Sequence, residues 1–174
     1  MNILIIGSGG REHAIALKLF EENSNHNIYI SPGNGGTKLV GENIILDLSS
    51  PSSVVKFCYD KKIELVVIGP EIPLVDGLAD VLRLEGILVF GPGKDAARIE
   101  GDKKFAKNLM QKYSVPTASF KSFSKEEYDN ALDFIKYGEF PIVLKASGLA
   151  AGKGVIIANT YKEAEHALAE MMKD

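Results

Sequence analysis

With 174 residues, 45% of them hydrophobic and 25% charged, the chain has the length for one large domain or for one domain and part of another. A formal charge of -3 excludes a general basic field, so duplex nucleic acid is not an expected partner and any anion site must be local. No apolar run reaches the ~18 residues of a membrane span and no basic leader precedes Met1 to Ile6, so the expected location is cytoplasmic.

Asn2 to Ile6 is an apolar, β-branched run closed by Gly7, and Gly10 to Glu22 carries Ala14, Leu17, Lys18 and Phe20 at helical spacing. Strand, glycine turn and helix open a βαβ unit. Further apolar runs at Ile28 to Ile30, Ile44 to Leu46, Leu65 to Ile68 and Ile87 to Phe90 do not alternate, which is the pattern of parallel strands buried on both faces. Helices are predicted at Ser52 to Lys61, behind Pro51, and at Val75 to Glu85, where Leu78, Val81 and Leu82 fall at i, i+3, i+4. Cys58 lies on the apolar side of the first of these. As a lone cysteine it forms neither a disulfide nor a thiolate cluster and reads as a small buried hydrophobe in a reducing compartment. Strands alternating with helices predict an α/β, doubly wound parallel sheet over about the first 90 residues.

Past Phe90, Gly91-Pro92-Gly93 breaks the chain, two short helical stretches follow, and Pro116 sits just after the second. The predicted division is an N-terminal domain at 1–100, a hinge helix and linker at 101–117, and a small α+β domain at 118–174. That last part reads as a strand at Ala118 to Lys121, a helix at Lys125 to Tyr137, strands at Ile142 to Leu144 and Val155 to Ala158, and a helix at Tyr161 to Lys173. The final helix bears an apolar stripe, Ala164, Ala167, Leu168, Met171 and Met172, for which the remaining sequence offers no partner layer. The chain is therefore expected to be a piece of a larger protein, its second domain whole or nearly so.

The stretch richest in chemistry is Lys145 to Val155, Lys-Ala-Ser-Gly-Leu-Ala-Ala-Gly-Lys-Gly-Val. A Walker loop needs Gly-Lys-Ser/Thr between a strand and a helix, whereas here Gly154 follows Lys153 and a strand follows that. What remains is a donor-rich hairpin suited to phosphate, with an ordinary glycine-rich hairpin as the alternative. Gly7-Ser8-Gly9-Gly10-Arg11-Glu12 fails the dinucleotide fingerprint, because Glu12 stands where its last glycine belongs and the second strand ends in Ser31-Pro32 without an acid. A phosphate at the helix start, near Gly9, Gly10 and Arg11, does not require that fingerprint. A tight turn packed closely is the alternative. Loops at 32–37, 69–75 and 91–94 leave the carboxyl ends of predicted strands and would converge with Gly9 to Arg11 on one crevice, where Glu71 would accept a bond from an amine. His13, His26 and His166 lack companions at metal-ligand spacing. Lys103, Lys104 and Lys107 read as a solvated helix face, with a nucleotide contact left open by their position.

Five segments in order, Gly-Ser-Gly-Gly-Arg-Glu-His-Ala (7 to 14), Pro-Gly-Asn-Gly-Gly-Thr (32 to 37), Gly-Pro-Glu-Ile-Pro-Leu-Val (69 to 75), Glu-Gly-Asp-Lys (100 to 103) and the 145 to 155 stretch, resemble the glycinamide ribonucleotide synthetases, or phosphoribosylamine-glycine ligases, of the ATP-grasp superfamily. The resemblance implies a Rossmann-like pre-ATP-grasp domain followed by a small ATP-grasp subdomain, at the N-terminal end of a longer enzyme. It implies joining of glycine to 5-phosphoribosylamine through a glycyl phosphate, as the second step of purine biosynthesis, with ATP and magnesium or manganese. By the same resemblance, Lys103, Lys145, Ser147, Gly148, Leu149, Ala150, Ala151, Gly152, Lys153, Gly154 and Val155 would bind ATP. Gly9, Gly10, Arg11, Asn34, Gly36, Thr37 and Glu71 would bind phosphoribosylamine. Metal ligands are expected beyond Asp174, so the chain alone would be inactive. Ser147 replaces the aspartate usual in the family, and Lys-Ala-Ser-Gly is closer to the ATP-grasp biotin carboxylases. A carboxylase and a nucleotide-binding module without turnover are the alternatives.

Overall fold

The computed structural model describes residues 1–146 and 154–173. It divides into two compact units, Met1–Arg98 and Ile99–Asp174. In the first, β1 (Asn2–Gly7), β2 (Asn27–Pro32), β3 (Glu42–Asn43), β4 (Leu65–Ile68) and β5 (Leu88–Phe90) form a wholly parallel sheet in the order β3-β2-β1-β4-β5. β1 is the middle strand, and Ile3 to Ile6 are each at most 1% exposed.

Alternation along β1 separates two cores. Leu4 and Ile6 pack with Val54, Cys58, Val66, Ile68, Leu78 and Leu82, whereas Ile3 and Ile5 pack with Ala16, Ile28, Ile30, Val40 and Val67. Helix α1 (Gly10–Glu22) therefore covers one face, while α2 (Pro51–Asp60), α3 (Glu71–Asp76) and α4 (Leu78–Leu84) cover the other. Burial of each such aliphatic side chain is worth about 1.5–3 kcal/mol, which explains why the strands read as unbroken apolar runs.

Two predicted elements of this unit are revised. The helix expected at Val75 to Glu85 is two helices, because Gly77 takes the left-handed conformation (φ 94°) between them, and the first begins already at Glu71 behind Pro70. The strand expected at Ile44 to Leu46 is the short β3 just before it. Ile44 N–H still donates to Ile30 O (2.9 Å), but Leu46 N–H turns to Ser31 Oγ (3.1 Å), and both side chains pack on the first core. Their apolar character serves packing rather than a ladder.

Helix α5 (Lys94–Gly101) leads into the second unit, where Asp102 caps α6 (Lys103–Lys112) by accepting Phe105 N–H at 3.0 Å. A 3-10 turn at Lys125–Glu127 precedes α7 (Tyr128–Lys136), and β6 (Ile142–Lys145) pairs antiparallel with β7 (Val155–Ala158) before α8 (Tyr161–Lys173). The stripe on α8 does have a partner layer: Ala164, Ala167 and Leu168 pack with Ala131 and Ile135 of α7 and with Leu144 and Ala158 of the hairpin. No strand forms at Ala118 to Lys121. The Lys107 ammonium instead donates to Thr117 Oγ1 (2.7 Å) and Ala118 O (2.9 Å) and stands 5.6 Å from the Phe120 ring.

Candidate functional site

The sheet order reverses at β1, whose neighbours β2 and β4 lead to opposite edges, and such a switch point opens a crevice at the carboxyl ends of the strands. Three of the four predicted loops meet there. After β1, Gly9 in extended conformation starts α1, so the first-turn N–H groups point out of the helix with its positive end behind them. After β2, Gly33 N–H donates to Gly7 O (3.1 Å), and the Asn34 side-chain amide donates to Ser8 O (2.9 Å). After β4, Glu71 opens α3 and its Oε1 accepts from Arg11 Nη2 at 3.0 Å. The fourth loop, 91–94, leaves the same edge but is bonded to α4: Lys94 N–H donates to Asp80 Oδ2 (2.7 Å), and Gly91 lies against Leu74 and Ile68.

The residues expected to face a ligand divide into two groups. Asn34 Oδ1 accepts from Gly36 N–H (2.8 Å) and Thr37 N–H (3.1 Å), and Thr37 Oγ1 accepts from Asn34 N–H (2.8 Å). The Thr37 hydroxyl proton has Asn34 O (2.9 Å) and Asn43 Oδ1 (2.6 Å) as acceptors, and Thr37 is fully buried. Asn34 and Thr37 thus shape the loop with the groups a ligand would have used. Gly36 is glycine because the His13 ring occupies the space of a Cβ there. Gly10, by contrast, has nothing within 4 Å of such a Cβ. Arg11 is 67% and Glu71 38% exposed at the side chain, and the Glu71 carboxyl is held below its ordinary range by its own backbone N–H and then by Arg11.

Sequence reasoning missed Glu12, at the position where the dinucleotide fingerprint fails. Glu12 is 3% exposed, and its Oε2 accepts Gly9 N–H at 2.6 Å. Its side chain fills the spaces left by the absent Cβ atoms of Gly7 and Gly69, at the ends of β1 and β4. In the fingerprint a third glycine permits close helix-to-strand packing. Here the glycines sit at the strand ends and the bulk sits in the helix. The available signal was an acid in the third helical position after Gly9, half of a capping box.

The second candidate site lies on the hairpin. Leu144 and Ala158 face the core, while Val143 pairs with Ile157 and Lys145 with Val155 on the outer face, where the three aliphatic residues are 49%, 62% and 45% exposed in that order. A cation beside an uncovered apolar strip suits a ligand with a flat apolar part and an anionic part. Ala146 N–H donates to Gly154 O (2.8 Å). The phosphate-binding stretch expected at Ser147, Gly148, Leu149, Ala150, Ala151, Gly152 and Lys153 lies outside the described residues. Lys103 opens α6 immediately after the Asp102 cap. Among the described residues no group of three His, Cys, Asp or Glu side chains is placed to hold a metal ion, and no helix is long and apolar enough to cross a membrane.

Residues 1–100 match the family model of the phosphoribosylglycinamide synthetase N domain, and residues 101–174 match that of its ATP-grasp (A) domain. A phosphoribosylamine-glycine ligase of Clostridium acetobutylicum is 46% identical over the whole chain, which spans 42% of that relative's length. The crystal structure of the phosphoribosylamine-glycine ligase of Thermotoga maritima is 32% identical with a TM-score of 0.71, over 99% of this chain and 41% of that one. The biotin carboxylase domain of the Hydrogenobacter thermophilus 2-oxoglutarate carboxylase, solved with MgADP, has the same TM-score of 0.71 over 99% of this chain and 42% of its own. At 18% identity it shares the fold alone.

Proposed function

This chain belongs to the phosphoribosylglycinamide synthetase family, and from that premise we propose that it forms part of an ATP-dependent ligase joining glycine to 5-phosphoribosylamine, with glycinamide ribonucleotide, ADP and phosphate as products. The observation that carries the reading is the Arg11–Glu71 pair beside the first turn of α1. Phosphoribosylamine has a phosphate at one end and an amine at the other. The outward N–H groups of Gly10 and Arg11 and the positive helix end suit the phosphate, and a carboxylate with a lowered pKa suits the amine hydrogens. Gly9 and Gly36 give their N–H groups to Glu12 and Asn34, and with Asn34 and Thr37 they fix the shape of the loops around the ligand.

For ATP, the outer face of the hairpin offers Val143, Val155 and Ile157 to the base and Lys145 to the phosphates, with Lys103 and residues 147–154 as further phosphate contacts. A glycine carboxylate oxygen attacks the γ-phosphorus and ADP leaves. The amine of phosphoribosylamine then attacks the acyl carbon, phosphate leaves with the C–O electron pair, and the amine gives up a proton. Positioning and neutralisation of phosphate charge are the protein's contribution. Magnesium or manganese would be held by residues other than those described, which offer no three-ligand cluster. The joint between the two substrate-binding parts falls near residue 100, with 101–117 as its hinge. A cytoplasmic location fits a sequence with a single cysteine, Cys58, whose buried thiol is pushed up to about 11.

The test uses this chain within a protein of its relatives' full length. Phosphate release is expected only when glycine, phosphoribosylamine and ATP are all present, and the isolated chain is expected to show none. Release with bicarbonate replacing glycine would overturn the reading in favour of a carboxylase, and no release with all three substrates would favour a binding module.

A further inference from the structure

The floor of the crevice holds a carboxylate oxygen with no hydrogen-bond partner among the described residues. Glu12 Oε2 is satisfied by Gly9 N–H, but Oε1 is buried against Gly69 and accepts no hydrogen bond among the described residues. A buried carboxylate oxygen without a donor is costly, and a nearby cation relieves that cost if it can make contact. The guanidinium of Arg11 is in reach: its Nε stands 3.9 Å from Glu12 Oε1, beyond hydrogen-bond distance, while its Nη2 is engaged at 3.0 Å by Glu71. One guanidinium is thus placed between two carboxylates, one half-exposed and one at the floor of the crevice.

We propose that Glu12 is a positioning residue for Arg11, providing a second seat that the guanidinium takes when a ligand amine occupies Glu71. The inference rests on the reading of Glu71 as the amine acceptor. A ligand that takes the Glu71 carboxylate displaces Arg11, and a shift of about 1 Å brings Arg11 Nε into hydrogen-bond contact with Glu12 Oε1. The move completes the hydrogen bonding of the buried acid and keeps a cation at the start of α1 for the ligand's phosphate. Loss of the Arg11–Glu71 bond is then offset by a charge-assisted bond formed in a drier place, so that amine and phosphate recognition are coupled.

The experiment follows the Arg11 Nε–H signal by NMR without ligand, together with binding of the non-hydrolysing carbocyclic analogue of phosphoribosylamine by calorimetry. In Glu71→Gln the Arg11 Nε–H signal is expected to move downfield and exchange more slowly with water, and in Glu71→Gln/Glu12→Gln it is expected to revert. With the fold unchanged by amide fingerprint, Glu12→Gln is expected to bind the analogue about tenfold more weakly, the effect of losing one hydrogen bond to a charged group. That loss is expected to shrink when Glu71→Gln is already present, because Arg11 is seated on Glu12 beforehand. An unmoved Arg11 signal in Glu71→Gln, or additive losses in the double variant, overturns the second seat. Failure of the unaltered protein to bind the analogue while the Arg11 signal does move overturns the amine-acceptor reading instead, and with it the ligand-driven half of the proposal.

Discussion

Glu71 is ionised more readily than an ordinary glutamate because its own backbone N–H and the Arg11 guanidinium both bond the charged form. A folded-state pKa below the unfolded value contributes stability that is present above the unfolded pKa and is lost as pH falls through the lowered one. Arg11→Met removes the second cause and leaves the first, so the Glu71 carboxyl is expected to titrate higher than before yet still below the ordinary 4.5. Titration of the side-chain carbonyl carbon by NMR decides this, and an unchanged midpoint would mean that the ion pair contributes nothing. On the hairpin, Lys145→Ala is expected to weaken ATP binding in the longer protein by about 1.5–3 kcal/mol, the range for a hydrogen bond to a charged group. Unaltered affinity by calorimetry would remove Lys145 from the site. Arg11 and Glu71 were legible in the sequence because each follows a glycine turn at a strand end, where open α/β sheets bind ligands. Glu12 was not, since its meaning depends on Gly69, which the chain brings alongside only by folding β4 next to β1. Asn34 and Thr37 were legible as members of the loop, but not as the residues that spend their polar groups on its shape.

Among elements, the central strands were the easiest to read because burial on both faces leaves nothing but aliphatic residues, and Ile3 to Ile6 carry that pattern alone. Ile44 to Leu46 shares the composition but packs beside the sheet, a distinction that residue type cannot express. The break at Gly77 was hidden inside apolar spacing that continues across it. Because Gly77 holds φ at 94°, Gly77→Ala is expected to destabilise the protein by about 1 kcal/mol, the cost of a left-handed conformation for a residue with a Cβ. The lost stability is read as a fall in urea midpoint at unchanged slope, and no fall would mean that the α3–α4 junction relaxes freely. The hairpin permits a sharper comparison between its faces. Leu144 is 8% exposed in the second core and Val143, its neighbour, is 49% exposed. Leu144→Ala should therefore cost about 2–5 kcal/mol, whereas Val143→Ala should stay within about 0.5 kcal/mol. Equal losses would mean that the outer face is structural and not kept open for a ligand.

For the whole molecule, the charge balance predicted local rather than general anion binding, and the two candidate anion sites lie in different units. Every residue of the crevice proposed for phosphoribosylamine, Gly9, Gly10, Arg11, Asn34, Gly36, Thr37 and Glu71, lies within Met1–Arg98, together with both cores that support it. Helix α5 begins in that unit: Lys94 N–H is fixed by Asp80, and Ala97 packs in the first core, so a fragment must retain this helix to keep the core closed. Residues 1–101 keep it whole. A unit with its own apolar core and a completed sheet folds alone, so fragment 1–101 is expected to unfold in one cooperative urea transition. It is also expected to bind the carbocyclic phosphoribosylamine analogue within about threefold of the affinity of the 174-residue chain, a difference of less than 1 kcal/mol. Cooperative unfolding with binding lost would show that the sugar-phosphate site needs residues past 101. Gradual unfolding would show that the first unit depends on the second for its stability.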